Sequence, residues 1–500
     1  MLTVGVESGK WKVESGEWKV ESGEWGVGSG KWRVESRKWK VESRKWRVES
    51  GKWRVESGKW RVESGKWKVE SGEWRVESGE WKVESLMKIR SITYFCNPKY
   101  PLDEKVLQKA GAFLAEAKSA YEAAGYAVQT VRLATTPFPK LLGEENIDKL
   151  PQLTGQIADI ARGLDIGYVS LGPALPEMPR SYETIPDAIF VSPNVFFGGV
   201  MAGRTDGRKN GSKLSGSKIY LAAVRACAQV VVKCAPLEPN GFANLQFAAL
   251  ANVPAGAPFF PAAYHDRDKP AFAIATESAD LAAQAFENAK TVEEGRNNLI
   301  RKIEEHGRKL AEISDSPISN APKFLGIDFS LAPFPDDAHS LGNAVEKMGI
   351  PKVGLHGSLA AASILTEAVD RADFPRTGFS GFMQPVLEDS VLAKRAAEGT
   401  LTIKDALLYS AVCGTGLDTV PLPGDTTAEQ LVPLLLDLAA LALRLDKPLT
   451  ARLMPIPGRK AGDETNFDFP FFAQSKVMKL DSEGLSPPFD GKEVLEIRKR

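Results

Sequence analysis

One heptamer, written over and over, dictates what the first 86 residues can build. Tryptophan stands at every seventh position from Trp11 to Trp81, and these eleven tryptophans are all that the chain contains. The residues between them repeat as Lys/Arg-Val-Glu-Ser-Gly-Lys/Glu. A seven-nucleotide tandem, TGGAAAG, read through its successive frames spells Trp-Lys-Val-Glu-Ser-Gly-Lys and then begins again. Single-base changes yield the Arg and Glu variants. The segment therefore reads as translated repeat DNA, and Met87 is the expected start of the working protein.

A seven-residue period suits a coiled coil only when apolar residues alternate at spacings of three and four. Here Trp and Val stand two apart, as at Trp32 and Val34, which is a spacing of extended strand rather than helix. Stacking of the units as a solenoid, and binding of single-stranded nucleic acid by tryptophan and charge, are the alternatives. Residues 1–86 carry 19 Lys/Arg against 15 Glu, so little net field remains to hold a nucleic acid. We expect 1–86 to be a disordered or spurious low-complexity extension and 87–500 to be one α/β domain.

Of the 64 basic and 64 acidic residues in the chain, 45 and 49 lie beyond residue 86. That mildly acidic body, without a basic stripe, argues against a nucleic-acid partner. No apolar run reaches the length of a membrane span; Leu431–Leu445 is broken by Asp437 and Arg444 and reads as a buried helix. Cys96, Cys227, Cys234 and Cys413 show no paired spacing, which fits a reduced, cytoplasmic protein. Cys227 and Cys234, on one helix face, read as core.

Short β-branched or aromatic runs alternate with helical patterns. Strands are expected at Ile89–Phe95, Ala127–Leu133, Ile166–Leu171, Ala188–Val191, Ala271–Ala275, Leu325–Phe329, Gly381–Val386, Leu417–Val420 and Ala451–Pro455. Helices are expected at Glu104–Ala124, Ile147–Gly163, Lys218–Cys234, Val292–Glu312, Ser340–Lys347, Leu359–Arg371, Ile403–Val412 and Ala428–Leu445. Thr291 with Glu294, and Thr426 with Glu429, have the spacing of capping boxes. Strands separated by helices predict an α/β fold with largely parallel pairing. Pattern alone leaves a barrel and a broad sheet both open. Arg204–Lys218 reads as a mobile loop.

Ligands of such folds sit beyond the carboxyl ends of the strands, and the residues found there are candidates. Cys413, between a helix and the glycines 414 and 416, is a candidate nucleophile. Gly424 and Asp425 lead into a helix N-terminus, where Asp425 can serve as a cap. His265, after an apolar Pro-rich approach, is a candidate general base or metal ligand, with a structural histidine the alternative. Glu388 and Asp389 open a helix; they could hold a divalent metal with Asp328 or Asp418, or simply cap. Asp328 lies inside a strand, where burying its charge is costly unless it is paired or serves a site. Arg452 is its candidate partner, or that of a substrate carboxylate. His356 stands at a helix start suited to an anion, and Ser330 follows Asp328 in the same loop. The glycine spacing matches neither the dinucleotide fingerprint nor the phosphate loop, so neither nucleotide is implied.

Gly326–Pro333, Ser380–Asp389 and Cys413–Asp425, supported by Phe259–His265 and Thr450–Pro455, resemble the domain of unknown function 711 family. The resemblance runs from Met87 to about Leu480. It implies a ten-stranded α/β barrel like that of pyruvate formate-lyase and anaerobic ribonucleotide reductase, which pair a barrel cysteine with a glycyl radical. Phe467–Arg500 has no Arg-Val-x-Gly-aromatic radical loop, and the adjacent cysteine pair of the lyase is also missing. The chemistry therefore does not transfer with the fold. Three readings follow in order: a non-radical enzyme acting on a small anionic metabolite in a barrel cavity, a metabolite binder or sensor, and an assembly protein. A homo-oligomer is compatible with each.

Overall fold

The computed structural model describes residues 87–204, 216–315 and 322–500, together with short stretches of backbone within 1–86. Residues 1–86 and 87–500 form two separate units. In the first, Glu24–Val27 pairs antiparallel with Gly30–Arg33, which sets Trp25 opposite Trp32. That is the extended geometry the Trp-x-Val spacing implies. The expected disorder of the extension falls mostly on residues outside the described ones, as does nearly all of the loop expected at Arg204–Lys218.

The second unit is built on one eleven-stranded mixed sheet. In chain order its strands are β1 (Lys88–Cys96), β2 (Val128–Thr135), β3 (Tyr168–Ala174), β4 (Val195–Arg204), β5 (Ser217–Tyr220) and β6 (Phe247–Ala251). They are followed by β7 (Ala271–Glu277), β8 (Lys323–Asp328), β9 (Gly416–Pro423), β10 (Leu449–Ile456) and β11 (Val494–Ile497). The ladder runs β8-β7-β1-β2-β3-β4-β6-β10-β9, with β5 joining β4 to β11.

Two parallel blocks compose this order. Strands β1, β2, β3, β4 and β6 run one way. Strands β7 with β8, and β9 with β10, run the other way, because β7 is antiparallel to β1 and β10 is antiparallel to β6. The edge strands β8 and β9 are not hydrogen-bonded in a continuous ladder. Isolated parallel bridges (Ile327↔Arg376, Ser330↔Gly381, Pro385↔Asp418) carry residues 376–385 across the gap between them. The strand expected at Gly381–Val386 is reduced to those bridges. Gly378, just ahead of it, has a φ of +67°, and a Cβ there would stand 2.2 Å from Asp328 Oδ2.

Helices cover the outer face. Glu104–Ala123 turns Leu107, Phe113, Leu114 and Tyr121 onto a core that also holds Ile89, Ile92 and Tyr94 of β1. Ile92 and Tyr94 share this face by the strand's two-residue pleat, and Ile89 joins them across a register shift between Ile89 and Ser91. Ala428–Arg444 buries Leu431, Leu435 and Leu438 as expected of a core helix, and no helix among the described residues is long and apolar enough to cross a membrane.

Some expectations fail locally. Ala188–Val191 is the end of a helix, Ile185–Val191, with Pro186 in its first turn; a four-residue apolar run does not by itself separate strand from helix. The capping box lies at Thr427 with Gln430, one residue beyond the expected Thr426 and Glu429. At the other expected box, Thr291 Oγ1 accepts from Glu294 N, but the Glu294 carboxylate accepts from Lys290 N rather than from Thr291.

Candidate functional site

The inner face of β1 and β2 is polar where neighbouring strands are small. Ser91 and Thr93 of β1 stand in register with Thr130 and Arg132 of β2 on one side, and with Ala275 and Ala273 of β7 on the other. Residues paired in register share a face, so the alanines leave room beside the polar row. The β1–β7 register shifts between Ile89 and Ser91. Arg90 is the extra residue of that bulge, a device that re-aims a side chain, and it too reaches the interior.

Of these, Arg90, Thr130, Arg132 and Ala275 line a cavity of about 90 Å3, together with Asp328, Ser330, Glu388 and Arg452. A water needs roughly 10–15 Å3 on such a scale, so the space suits several waters or one small molecule. Phe259 and Phe260, from a Pro-rich loop, and Phe469 and Phe471, from the carboxyl-terminal segment, complete an aromatic wall.

Most of the charges in the cavity are answered. Glu388 takes Arg90 on one oxygen and Arg452 Nη2, at 2.8 Å, on the other. Arg452 Nε also donates to Asp418 Oδ1 at 2.6 Å. Burial opposes the Glu388 charge, but its two arginines overcome that and hold its pKa below the ordinary carboxyl value. Asp418 is shifted the other way: burial dominates, Glu388 repels it, and among the described residues Arg452 is its one hydrogen-bonded cation and its Oδ2 is buried without a partner.

Asp328 occupies the far wall. Ser330 Oγ donates to its Oδ1 at 2.6 Å, Ser380 N donates to the same oxygen at 2.8 Å, and Phe379 N donates to Oδ2 at 3.0 Å. Burial raises its pKa in spite of these donors. The Gly-Phe-Ser-Gly segment wraps this carboxylate closely, which explains the glycine at 378.

Arg132 is the exception. Only 8% exposed, it donates from Nε to Thr130 Oγ1 at 2.8 Å and lies 5.4 Å and 5.1 Å from the ring centres of Tyr168 and Phe260. Among the described residues no carboxylate pairs with it. Burial, and then repulsion from Arg90, lower its pKa. The protein holds this cation at a cost that an arriving anion would relieve.

Of the residues singled out in the sequence, Asp328, Ser330, Glu388 and Arg452 meet at the cavity, and Asp418 joins through Arg452. The others lie elsewhere. His265 is buried outside the lining, its backbone N donating to Thr135 O at the far end of β2, and burial lowers its pKa. Cys413 is buried behind the wall, where its Sγ accepts from Gly416 N at 3.2 Å. His356 and Asp425 are exposed, and Gly424 sits in a turn whose N–H donates to Arg459 O. Asp389, although adjacent to Glu388, turns away to cap the helix Ser390–Glu398 and to accept from Ser340 Oγ and two backbone N–H groups. The metal set Asp328, Glu388 and Asp389 is therefore not assembled, and no group of three or more His, Cys, Asp or Glu among the described residues could hold a metal ion.

Arg90, Thr130 and Arg132 went unnoticed in the sequence. The signal was available: each arginine interrupts a β-branched strand, which is the pattern that drew attention to Asp328.

The family described as Uncharacterised ACR (DUF711) matches residues 83–468. A UPF0210 protein of Pyrobaculum arsenaticum is 30% identical over 381 residues, covering 73% of this chain and 78% of its own length. One from Pyrobaculum aerophilum is 35% identical over 258 residues, covering 49% of this chain and 56% of its own length. One from Methanocaldococcus jannaschii is 26% identical over 383 residues, covering 73% and 82%. All but the first four residues of the matched span, and the residues that build the cavity, fall in the second unit, and the chain belongs to the DUF711 (UPF0210) family.

Proposed function

We propose that the cavity takes a small organic anion, and that the protein is a non-radical enzyme that turns it over by acid–base chemistry. The observation that carries this reading is Arg132: a buried guanidinium, open to the cavity, with no paired carboxylate among the described residues. Its five donors match the oxygens of an anion. Asp328 supplies the group that moves a proton. It lines the same cavity, Ser330 fixes its orientation, and a burial-raised pKa brings a carboxyl closer to neutral working pH. Four free, buried cysteines support a reducing, cytoplasmic setting.

The position of His265 and Cys413 outside the lining favours a second reading, a binder without turnover. Two substitutions separate the readings. In a screen of small carboxylates followed by thermal shift and product detection, Arg132→Gln is expected to abolish the ligand-induced rise in Tm. Asp328→Asn is expected to keep that rise but to remove turnover. Turnover should also fall toward acid pH, with its limb above the ordinary aspartate value of about 3.9, as Asp328 takes up its proton. A ligand that stabilises the protein while yielding no product would establish the binder. A Tm response unchanged by Arg132→Gln would remove both readings.

A further inference from the structure

We infer that two residues hold the anion and that the second is Tyr168, whose phenol O–H donates to the same oxyanion that the Arg132 guanidinium binds. The inference rests on the anion reading above and adds to it a donor that brings no charge. Tyr168 opens β3 in register with Arg132 of β2, so the two side chains share a face, and both line the cavity. Most polar side chains of the lining are already engaged. Arg90 and Arg452 bond to Glu388, Arg452 also to Asp418, Thr276 donates to Ser330 O, and Ser330 to Asp328. Arg132 uses only Nε, on Thr130. Neither its two terminal nitrogens nor the Tyr168 hydroxyl has a hydrogen-bond partner among the described residues, and all three atoms keep accessible surface. Gln129 also keeps a free amide, but it lies at the amino end of β2 and is not the ladder neighbour of Arg132.

Packing holds the phenol beside the cation. The guanidinium lies 5.4 Å from the Tyr168 ring centre and 5.1 Å from that of Phe260, and Phe196 meets both rings edge-on, at 5.2 Å and 5.6 Å. A side chain fixed in this way loses little freedom when a ligand arrives. The Tyr168 phenol is also near enough to act on Arg132 electrostatically, which places it within the field that draws the anion. Tyrosine suits the position better than a further cation would. Arg90 and Arg452 already repel Arg132 and lower its pKa, whereas a phenol donates a hydrogen bond without adding to that repulsion. A bond from it to a charged oxygen is among the stronger kinds.

Calorimetric titration of the full chain with benzoate, benzamide and inorganic phosphate tests the pair. Benzoate offers a charge to Arg132 and an apolar body to the aromatic wall, and it should bind at least about tenfold more tightly than the uncharged amide. Tyr168→Phe keeps the ring and its contacts with Arg132 and Phe196. It should weaken benzoate about tenfold, the usual effect of losing a hydrogen bond to a charged group, and weaken phosphate in parallel where phosphate binds. The Tm of the free protein should not change, because the hydroxyl has no partner to lose. Replacing Tyr168 with 3-fluorotyrosine, a more acidic phenol and so a stronger donor, should tighten benzoate, and gives a second readout should Tyr168→Phe not fold. Benzoate affinity unchanged in whichever of these variants folds would overturn the role of Tyr168; if Arg132→Gln still abolished binding, the anion reading would stand without it. A loss of affinity accompanied by a matching fall in Tm would make Tyr168 a packing residue and overturn its role as well. No binding by benzoate or phosphate up to about 10 mM, or binding indifferent to Arg132→Gln, would defeat both readings.

Discussion

Arg452 and Arg132 line the same cavity, and the protein treats them in opposite ways. Arg452 reaches two carboxylates, Glu388 and Asp418, while Arg90 takes the other oxygen of Glu388. This cluster fastens β1 of one parallel block to β9 and β10 of the other, with Glu388 just past the bridging segment. Arg132, within electrostatic reach of Arg90, Glu388 and Arg452 of that group, has a hydroxyl and two aromatic faces instead. Desolvation costs both guanidinium groups heavily, but only the first is repaid inside the fold. On the proposed reading the contrast separates a brace from a receptor: where internal acids answer a buried charge it holds strands together, and where none does it is left for an arriving anion.

The harshest way to test that contrast is to remove the acid at the centre of the brace. Glu388→Gln leaves Arg90 and Arg452 buried with one carboxylate fewer, and breaking a buried pair in this manner costs about 3–5 kcal/mol. Urea unfolding at neutral pH should show a loss of that order. The pH dependence carries a sign. The folded pKa of Glu388 is depressed, so its contribution is complete above the unfolded carboxyl value of about 4.3 and disappears as pH falls through the lower folded value. The difference between wild type and variant should therefore shrink in strong acid. A variant as stable as wild type at pH 7 would mean that the cluster is no brace.

Arg132→Gln is the matching change on the other side, and its expected effect on stability is far smaller. It orphans no carboxylate. It loses a hydrogen bond and two cation–π contacts, worth about 0.5–2 kcal/mol each, and recovers the cost of burying an unpaired cation. The net change in unfolding free energy should stay within about 1 kcal/mol, while anion binding disappears. If Arg132→Gln proved as destabilising as Glu388→Gln, Arg132 would be part of the brace and the comparison would collapse.

How much of this was legible in the sequence depends on which signal carried it. Strands β1, β2, β7, β8, β9 and β10 were visible because β-branched and aromatic runs mark them. Strand β6, Phe-Ala-Ala-Leu-Ala, was not, since alanine has little strand preference of its own and its neighbours β4 and β10 impose the pairing. Asp328 was found by asking what a charge does inside a strand. The same question put to Arg90 and Arg132 would have found the rest of the cavity. His265 and Cys413 drew attention by rarity and by nearby glycines, and neither property carries information about position. Strand direction misled as well. Asp328 and Ser330 do lie at the carboxyl end of β8, but Arg90 and Thr130 come from the amino-terminal halves of β1 and β2, because the two blocks run in opposite directions and meet over one hollow.

The test with the smallest expected effect on binding marks where the cavity ends. Cys413 Sγ accepts a hydrogen bond from Gly416 N behind the wall, and Gln384 Nε2 approaches it at 3.9 Å. Cys413→Ala leaves the Gly416 N–H without that acceptor and opens a small void, a loss of about 1–2 kcal/mol in chemical unfolding. Cys413 is not among the residues that line the cavity, so affinity for the anion should stay within about twofold, the spread expected of independent sites. His265→Gln should leave affinity alike, since His265 lies outside the lining and its backbone bond to Thr135 O survives, while loss of the ring's bond to the Arg267 backbone falls on stability. Loss of binding in Cys413→Ala, with stability barely altered, would carry the functional boundary past the wall to the thiol and restore it as a nucleophile.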